Sequence, residues 1–413
     1  MSLRKPIEIG GLCERIRTRN PQDQQDVEFS YIDIAGIDKE RKSIVETKRL
    51  TGAEAPSRAR QIVFEGDVLV STVRPNLNAV ATVPVGLHNE IASTGFCVLR
   101  PKRDYLLNRY LFYATQTDHF VRFLVSRMKG AGYPAVSDRT VKSYPIPVPH
   151  LKEQARIVEL LDQADALRQL RSQADEKAAR ILPALFHHYF GDPISNNYRL
   201  NTCPLGLIGE MSGGGTPSKR VPDYWNGDIP WVSPKDMKSL CISRTEDYIT
   251  QDAIKDSATS LIPAESLLFV FRSGILKHSA PVAINSVPVA LNQDMKAIQL
   301  LPDFDAYYIL AWAQVAKSMI LNCVKGGATV QSIETSKFKA LRVLKPNVTD
   351  QRKFSQHYKT LITLTGQSAT TKQKLEDLFQ LLLHRAFTGE LTAKWREAHL
   401  SELVEEMELQ AKA

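Results

Sequence analysis

Cysteine is scarce in this chain, and the few present stand apart. Cys13, Cys97, Cys203, Cys241 and Cys323 form no Cys-x-x-Cys pair and no Cys/His cluster. That excludes a zinc knuckle and a disulfide framework, and it fits the reduced thiols of a cytosolic protein. Long apolar runs are missing too. The longest apolar stretch, near Ala306 to Ala316, falls far short of a membrane-spanning helix, which needs roughly 20 residues. The opening Met1-Ser-Leu-Arg-Lys-Pro6 leads into polar sequence, with no sign of an export signal. A cytoplasmic location is the expectation. Acidic residues are in deficit: 45 Asp and Glu against 53 Lys and Arg leave a formal net charge of +8. A positive surplus attracts polyanions and gains affinity by releasing counterions from phosphate, so nucleic acid leads the partner classes.

With 413 residues, 43% of them hydrophobic and 24% charged, the composition is that of a globular protein too long for one ordinary domain. A repeat of about half the chain organises it. Gln154-Ala-Arg-Ile157 is answered 197 positions later by Gln351-Arg-Lys-Phe354, and the same offset carries His187 onto His384 and Phe190 onto Phe387. Upstream, Asp67-Val-Leu-Val-Ser-Thr-Val-Arg74 aligns with Glu265-Ser-Leu-Leu-Phe-Val-Phe-Arg272, and Lys129-Gly-Ala-Gly-Tyr133 with Lys325-Gly-Gly-Ala-Thr329.

Each half reads as an irregular, strand-rich region followed by a long helix. Short alternating runs such as Ile62 to Val70 and Ser279 to Ile284 predict twisted strands, with local helices near Asn108 to Val125 and Ala306 to Leu321. From Leu151 to about Phe190, Ile157, Leu160, Ala164, Leu167, Arg171, Ala174, Ala178, Ile181 and Leu185 follow heptad spacing. Phe354, His357, Leu361, Leu364, Ser368, Thr371, Leu375, Leu378 and Leu382 keep the register in the second copy. Helices of this length reach about 55 to 60 Å, and each wants a partner as long as itself, which the other copy provides. Pro183 removes a backbone hydrogen bond and predicts a break in the first helix. The boundaries lie at Tyr144-Pro-Ile-Pro-Val-Pro149, at Leu344-Lys-Pro346 and near Gly191-Asp-Pro193.

Gly213-Gly-Gly-Thr-Pro-Ser218, followed by Tyr224-Trp-Asn-Gly-Asp-Ile-Pro-Trp-Val232, resembles the opening of a target-recognition domain in the specificity (S) subunits of type I restriction-modification enzymes. So does Leu291-Asn-Gln-Asp-Met295. The proline junctions followed by Glu153-Gln154 or Asp350-Gln351, and the close Ala386-Phe-Thr-Gly-Glu-Leu391, are similar to that family's central and C-terminal helical regions. The first half lacks the Gly-Gly-Thr-Pro and Ile-Pro-Trp signatures and begins with a looser Tyr31-Ile-Asp-Ile-Ala-Gly-Ile37.

The resemblance implies an α+β architecture in which two pseudo-repeated mixed α/β target-recognition domains are separated by two long helices forming an antiparallel coiled coil. The expected divisions are residues 1–147 and 193–346 for the recognition domains, 148–192 and 347–392 for the helices, and 393–413 for a helical tail. It also implies a non-catalytic protein that reads a split, asymmetric site in double-stranded DNA, one half-site per domain. Two methyltransferase subunits and two restriction subunits would join it. Docking and coiled-coil contacts would fall on Ile157, Leu160, Leu167, Ile181, Leu185, Phe354, Leu361, Leu364, Leu375, Leu378 and Leu382.

The residues carry little chemistry of their own. An adenine methyltransferase would need an Asn/Asp-Pro-Pro-Tyr/Phe motif, and Gly191-Asp-Pro-Ile194 lacks the second proline and the aromatic. Gly213 to Lys219 has glycines without the spacing of a nucleotide-binding loop. Neither catalytic residues, a cofactor nor a metal is expected. A self-sufficient metal-dependent nuclease with a helical dimerisation arm is the alternative, resting on Asp33 with Glu46-Thr-Lys48; a purely structural coiled-coil adaptor is a third reading. Candidate DNA contacts are Arg74, Asn76, Lys129, Tyr133, Lys219, Lys235, Arg272, Lys277, His278, Lys325 and Gln331. Arginine can grip guanine O6 and N7, Asn or Gln can pair with adenine, and lysine beside glycine can approach phosphate.

Overall fold

Two runs of aliphatic residues, each buried on both faces, form the centres of two sheets. In the computed structural model, which describes residues 6–130, 132–327 and 330–404, these runs are the strands Val68–Ser71 and Leu267–Val270. The chain divides into two compact units, residues 1–172 with 371–413, and residues 173–370.

In the first unit, Val68–Ser71 lies between Phe96–Leu99 and Val80–Thr82, antiparallel to both. A four-stranded sheet runs in the order Lys48–Thr51, Glu28–Ile32, Glu90–Ser93, Ala59–Val63, with Glu28–Ile32 parallel to Glu90–Ser93. The helices Asn108–Ala114 and Asp118–Val125 cover a core of Val68, Val70, Leu99, Tyr110, Leu111 and Phe120. Into the same core Ile157 and Leu161 descend from one long helix, and Phe379, Leu383 and Ala386 from the other.

The second unit repeats the plan with more strands. Its five-stranded sheet runs Gly209–Gly213, Met295–Leu300, Leu267–Val270, Val282–Asn285, Cys241–Ile242. Ile229–Val232 is parallel to Ala290–Leu291 and antiparallel to Asp247–Ile249, the same pairing that Glu28–Ile32 makes in the first unit. The fully buried helix face of Tyr308, Ile309 and Trp312 packs with Phe186, Phe190, Phe354 and Tyr358. The first domain thus keeps the backbone plan even though Tyr31 stands where the second has Trp231.

The first long helix spans Leu151–Ala178, and after a two-residue turn the chain resumes as Ile181–Phe190. Pro183 has no N–H to offer the carbonyl of Ala179, so the break falls one turn before it, as expected. The second, Val348–Thr388, is unbroken over 41 residues, about 60 Å. Asn347 starts it by accepting from the Asp350 N–H at 2.8 Å while donating to the Asp350 carboxylate. Both helical segments close at a glycine with positive φ, Gly191 and Gly389; a Cβ at Gly191 would lie 2.3 Å from Asn197 Oδ1.

The heptad positions are divided by burial. Ile157 and Phe354 are buried and Leu160, Leu185, Leu361, Leu375 and Leu382 half-buried, but Leu167, Ile181, Leu364 and Leu378 are exposed. The buried stripe lies one residue further on, at Leu161, Phe186, Phe379 and Leu383. Each helix packs on a globular core, so the face it buries is turned towards that core. The short helix Ala393–Ala398 and residues 400–404 continue the chain helically. Residues 405–413 of the expected tail lie outside the described residues.

Candidate nucleic-acid interface

Leaving the central strand of the first unit, the chain turns sharply at Arg74. Arg74 has φ +49° and Asn78 φ +44°, both left-handed, with one turn of 3-10 helix, Pro75–Leu77, between them. The Arg74 N–H donates to the Pro134 carbonyl at 2.7 Å, and Val136 donates to Thr72 at 2.9 Å. Ala135 bridges Val73 on one side and Lys129 on the other. This small ladder gathers four of the candidates. Arg74, Asn76, Lys129 and Tyr133 are all exposed, and the Arg74 guanidinium stands 5.5 Å from the Tyr133 ring centroid. Tyr133, at 77% exposure, offers a bare aromatic face. Ala131, between them, lies outside the described residues.

The second unit builds the same ladder from different residues. Arg272–Ser273 pairs with Gln331–Ile333, which pairs in turn with Val324–Lys325, so Ser332 stands between Arg272 and Lys325. Gln331 is opposite Ser273, and its carboxamide oxygen is buried without a partner among the described residues. Lys325 approaches Glu334 at 3.7 Å. Lys277 and His278 close the turn Gly274–Lys277 and are exposed. Ala328 and Thr329 of the Lys325 to Thr329 segment lie outside the described residues.

Two candidates have other surroundings. Lys219 lies 6.0 Å from the Trp225 ring. Lys235 is held by Glu246 at 2.9 Å and Asp247 at 3.0 Å, and hydrogen bonds to these carboxylates raise its pKa above the ordinary lysine value. Its charge is already matched within the protein.

The Gly-Gly-Thr-Pro, Ile-Pro-Trp and Leu-Asn-Gln-Asp motifs of the second half meet in space. Gly215 donates to the Leu291 carbonyl at 2.9 Å, Asn292 to Val232 at 2.9 Å, and the Trp231 indole to the Gly215 carbonyl at 3.0 Å. A Cβ on Gly214 would lie 2.2 Å from the Asn292 carbonyl oxygen. The glycines thus permit close backbone approach of this segment to the end of strand Ala290–Leu291.

Burial pushes the Cys13 thiol up to about 12 and that of Cys97 upward as well, so both stay protonated at neutral pH. Asp33 accepts from the Ile34 N–H, capping a turn. Among the described residues no group of three or more His, Cys, Asp or Glu side chains could hold a metal ion, so the carboxylate set of the nuclease alternative finds no support. Among them, too, no helix is long and apolar enough to cross a membrane.

Two groups that the structure brings forward carry no local signal in the sequence. Lys42 donates to the carbonyl of Asn78 at 2.6 Å, beside the Arg74 turn. Arg396 and Thr392 both hold the buried carboxylate of Glu153. Pairing across 36 and 243 positions leaves no local pattern.

The profile of the family described as "Type I restriction modification DNA specificity domain" matches residues 5–178 and again 200–378. The chain is 36% identical over 240 residues to the EcoR124I/EcoR124II specificity subunit of Escherichia coli, covering 56% of this chain and 58% of that protein. It is 28% identical over 186 residues to the MjaIX specificity subunit of Methanocaldococcus jannaschii, covering 44% and 41%. These matches therefore span about half the length of each relative. With the HindI specificity subunit of Haemophilus influenzae it shares 20% over 416 aligned positions, 82% of this chain and 89% of that one. Its fold is similar to that of the type I S subunit from M. genitalium, with TM-score 0.55, 12% identity and coverage of 92% and 95%. A chain from a structural study of complex assembly in the type I R-M system gives TM-score 0.57, 23% identity and coverage of 93% and 97%. With the domain present twice, covering most of its length, the chain belongs to the type I restriction-modification DNA specificity family.

Proposed function

We propose that this chain is the DNA-reading specificity subunit of a type I restriction-modification complex. Its recognition domains, residues 1–147 and 193–346, each read one half of a split, asymmetric site in double-stranded DNA. The observation that carries this is the duplicated ladder: an exposed arginine beside an exposed lysine, on paired backbone, once in each domain. Two non-identical copies in one chain suit a site without two-fold symmetry. In each copy the arginine is the base-reading group and the lysine a phosphate contact.

The long helices, residues 148–192 and 347–392, act as an antiparallel spacer. Support comes from contacts inside each unit: Arg168 bonds Glu376 at 2.7 Å in one, and Ser368 bonds Asp175 at 2.7 Å in the other, so the partner falls in number as the first rises. Exposed Leu167, Ile181, Leu364 and Leu378 are then free to meet two methyltransferase and two restriction subunits, which supply all the chemistry, while this chain needs no cofactor. The complex works in the cytoplasm, where its DNA is.

Selection of bound duplexes from a random pool by the full-length chain with its methyltransferase subunits tests this reading. Two short defined blocks separated by a gap of undefined sequence are expected. A single continuous motif, or binding without sequence preference, would contradict it.

A further inference from the structure

Three non-glycine residues with left-handed backbone stand together on one side of the first unit. Arg74 and Asn78 bracket the recognition turn, and Lys42, with φ +52°, ends the tip of the hairpin formed by Ile37–Asp38 and Ser43–Ile44. Side chains in this region of φ cost energy and persist only where neighbours enforce them. The neighbours here enforce one another. The Lys42 ammonium donates to the Asn78 carbonyl at 2.6 Å and to Asn78 Oδ1 at 3.1 Å, while Asn78 Nδ2 donates to the Thr115 carbonyl at 3.1 Å. One lysine thus satisfies both acceptors of the residue that closes the turn.

We propose that Lys42 is a positioning residue for the first half-site, clamping the Arg74–Asn78 turn in the one conformation that aims Arg74 and Asn76 at the bases. The inference rests on reading that turn as a DNA contact. The second domain holds its arginine differently, by the strand pairing of Arg272–Ser273 with Gln331–Ile333, so the clamp acts on one half-site alone. A lysine that merely stabilised the fold would lower affinity for every sequence. A positioning lysine changes which bases are tolerated.

The test compares the full-length chain with Lys42→Met, Lys42→Arg, Asn78→Gly and Arg74→Ala in binding selection from a duplex pool. Asn78→Gly keeps the left-handed backbone but removes the side-chain anchors, so it probes the clamp should Lys42→Met fail to fold. Lys42→Met is expected to lower the preference for the first half-site over its single-base variants about tenfold, the equivalent of about 1.4 kcal/mol, and to leave the second half-site unchanged. Asn78→Gly should do the same to a lesser degree, and Lys42→Arg should restore most of the preference. Intact first half-site preference in Lys42→Met and Asn78→Gly, or equal loss at both half-sites, overturns the clamp. If Arg74→Ala relaxes the first half-site in that case, only the clamp has failed; if Arg74→Ala also leaves it intact, the reading of the turn as a DNA contact falls with it.

Discussion

Gln154 and Gln351, 197 positions apart, are both fully buried and make the same three hydrogen bonds. Gln154 accepts from the Leu107 N–H at 2.9 Å and donates to the carbonyls of Tyr105 and Pro149. Gln351 accepts from Asp305 at 2.9 Å and donates to Asp303 and Pro346. In each unit one carboxamide ties the first turn of a long helix to the start of the domain's buried helix and to the proline junction before it. Tyr110 and Tyr308 reinforce this, donating to the carbonyls of Pro147 and Leu344.

Replacing either glutamine with alanine strands a buried N–H and two carbonyls, which should cost about 2 to 4 kcal/mol. Each variant should lower the melting of its own unit, so Gln154→Ala and Gln351→Ala should shift different parts of a calorimetric trace. A loss under about 1 kcal/mol in both would show that the joint is not held this way.

Glu153 meets Arg396 at 2.7 Å, and its side chain is only 5% exposed. Arg396→Met leaves that carboxylate buried with Thr392 alone and should cost about 3 kcal/mol. Adding Glu153→Gln should recover part of the loss. Denaturant unfolding of the four chains of this cycle measures the coupling, and a value near zero would deny the C-terminal segment its part in holding the first long helix.

Burial lowers the Lys42 pKa to about 8, with Arg168 acting in the same direction and Glu376 and Asp38 opposing it. Between about 8 and the ordinary 10.5 the folded chain therefore holds fewer protons on this amine than the unfolded one. Stability should rise with pH across that window, by at most about 1.4 kcal/mol per unit, and the full penalty applies below it. Melting the wild-type chain and Lys42→Met at pH 7.5 and pH 9 checks this. The wild type should gain on the variant by a few degrees at the higher pH; a constant difference would mean that Lys42 is not desolvated in the folded protein.

Much of this architecture was legible because its determinants are local or repeated. Spacing gave the helices around Asn108 and Ala306, Pro183 gave the break, and the offset of 197 linked Gln154 to Gln351. The arginines at the ends of the central strands and the lysines 55 or 53 positions further on aligned in sequence and meet in each ladder. The register of the long helices was less legible, because heptad spacing alone cannot say that a globular core will turn the buried face from Leu160 to Leu161. Lys235 read as a DNA contact because the carboxylates that hold it, Glu246 and Asp247, lie beyond the local sequence pattern and reach it only in the fold. Lys42 was invisible for a like reason: only the folded hairpin brings it to Asn78.

Exchange of residues 1–147 for the matching segment of a relative with a different site, followed by sequencing of methylated DNA in the host, tests the central claim most directly. One half-site should change to that of the donor, with the other half-site and the gap retained. A change in both half-sites, or in neither, would contradict the assignment of one half-site to each domain.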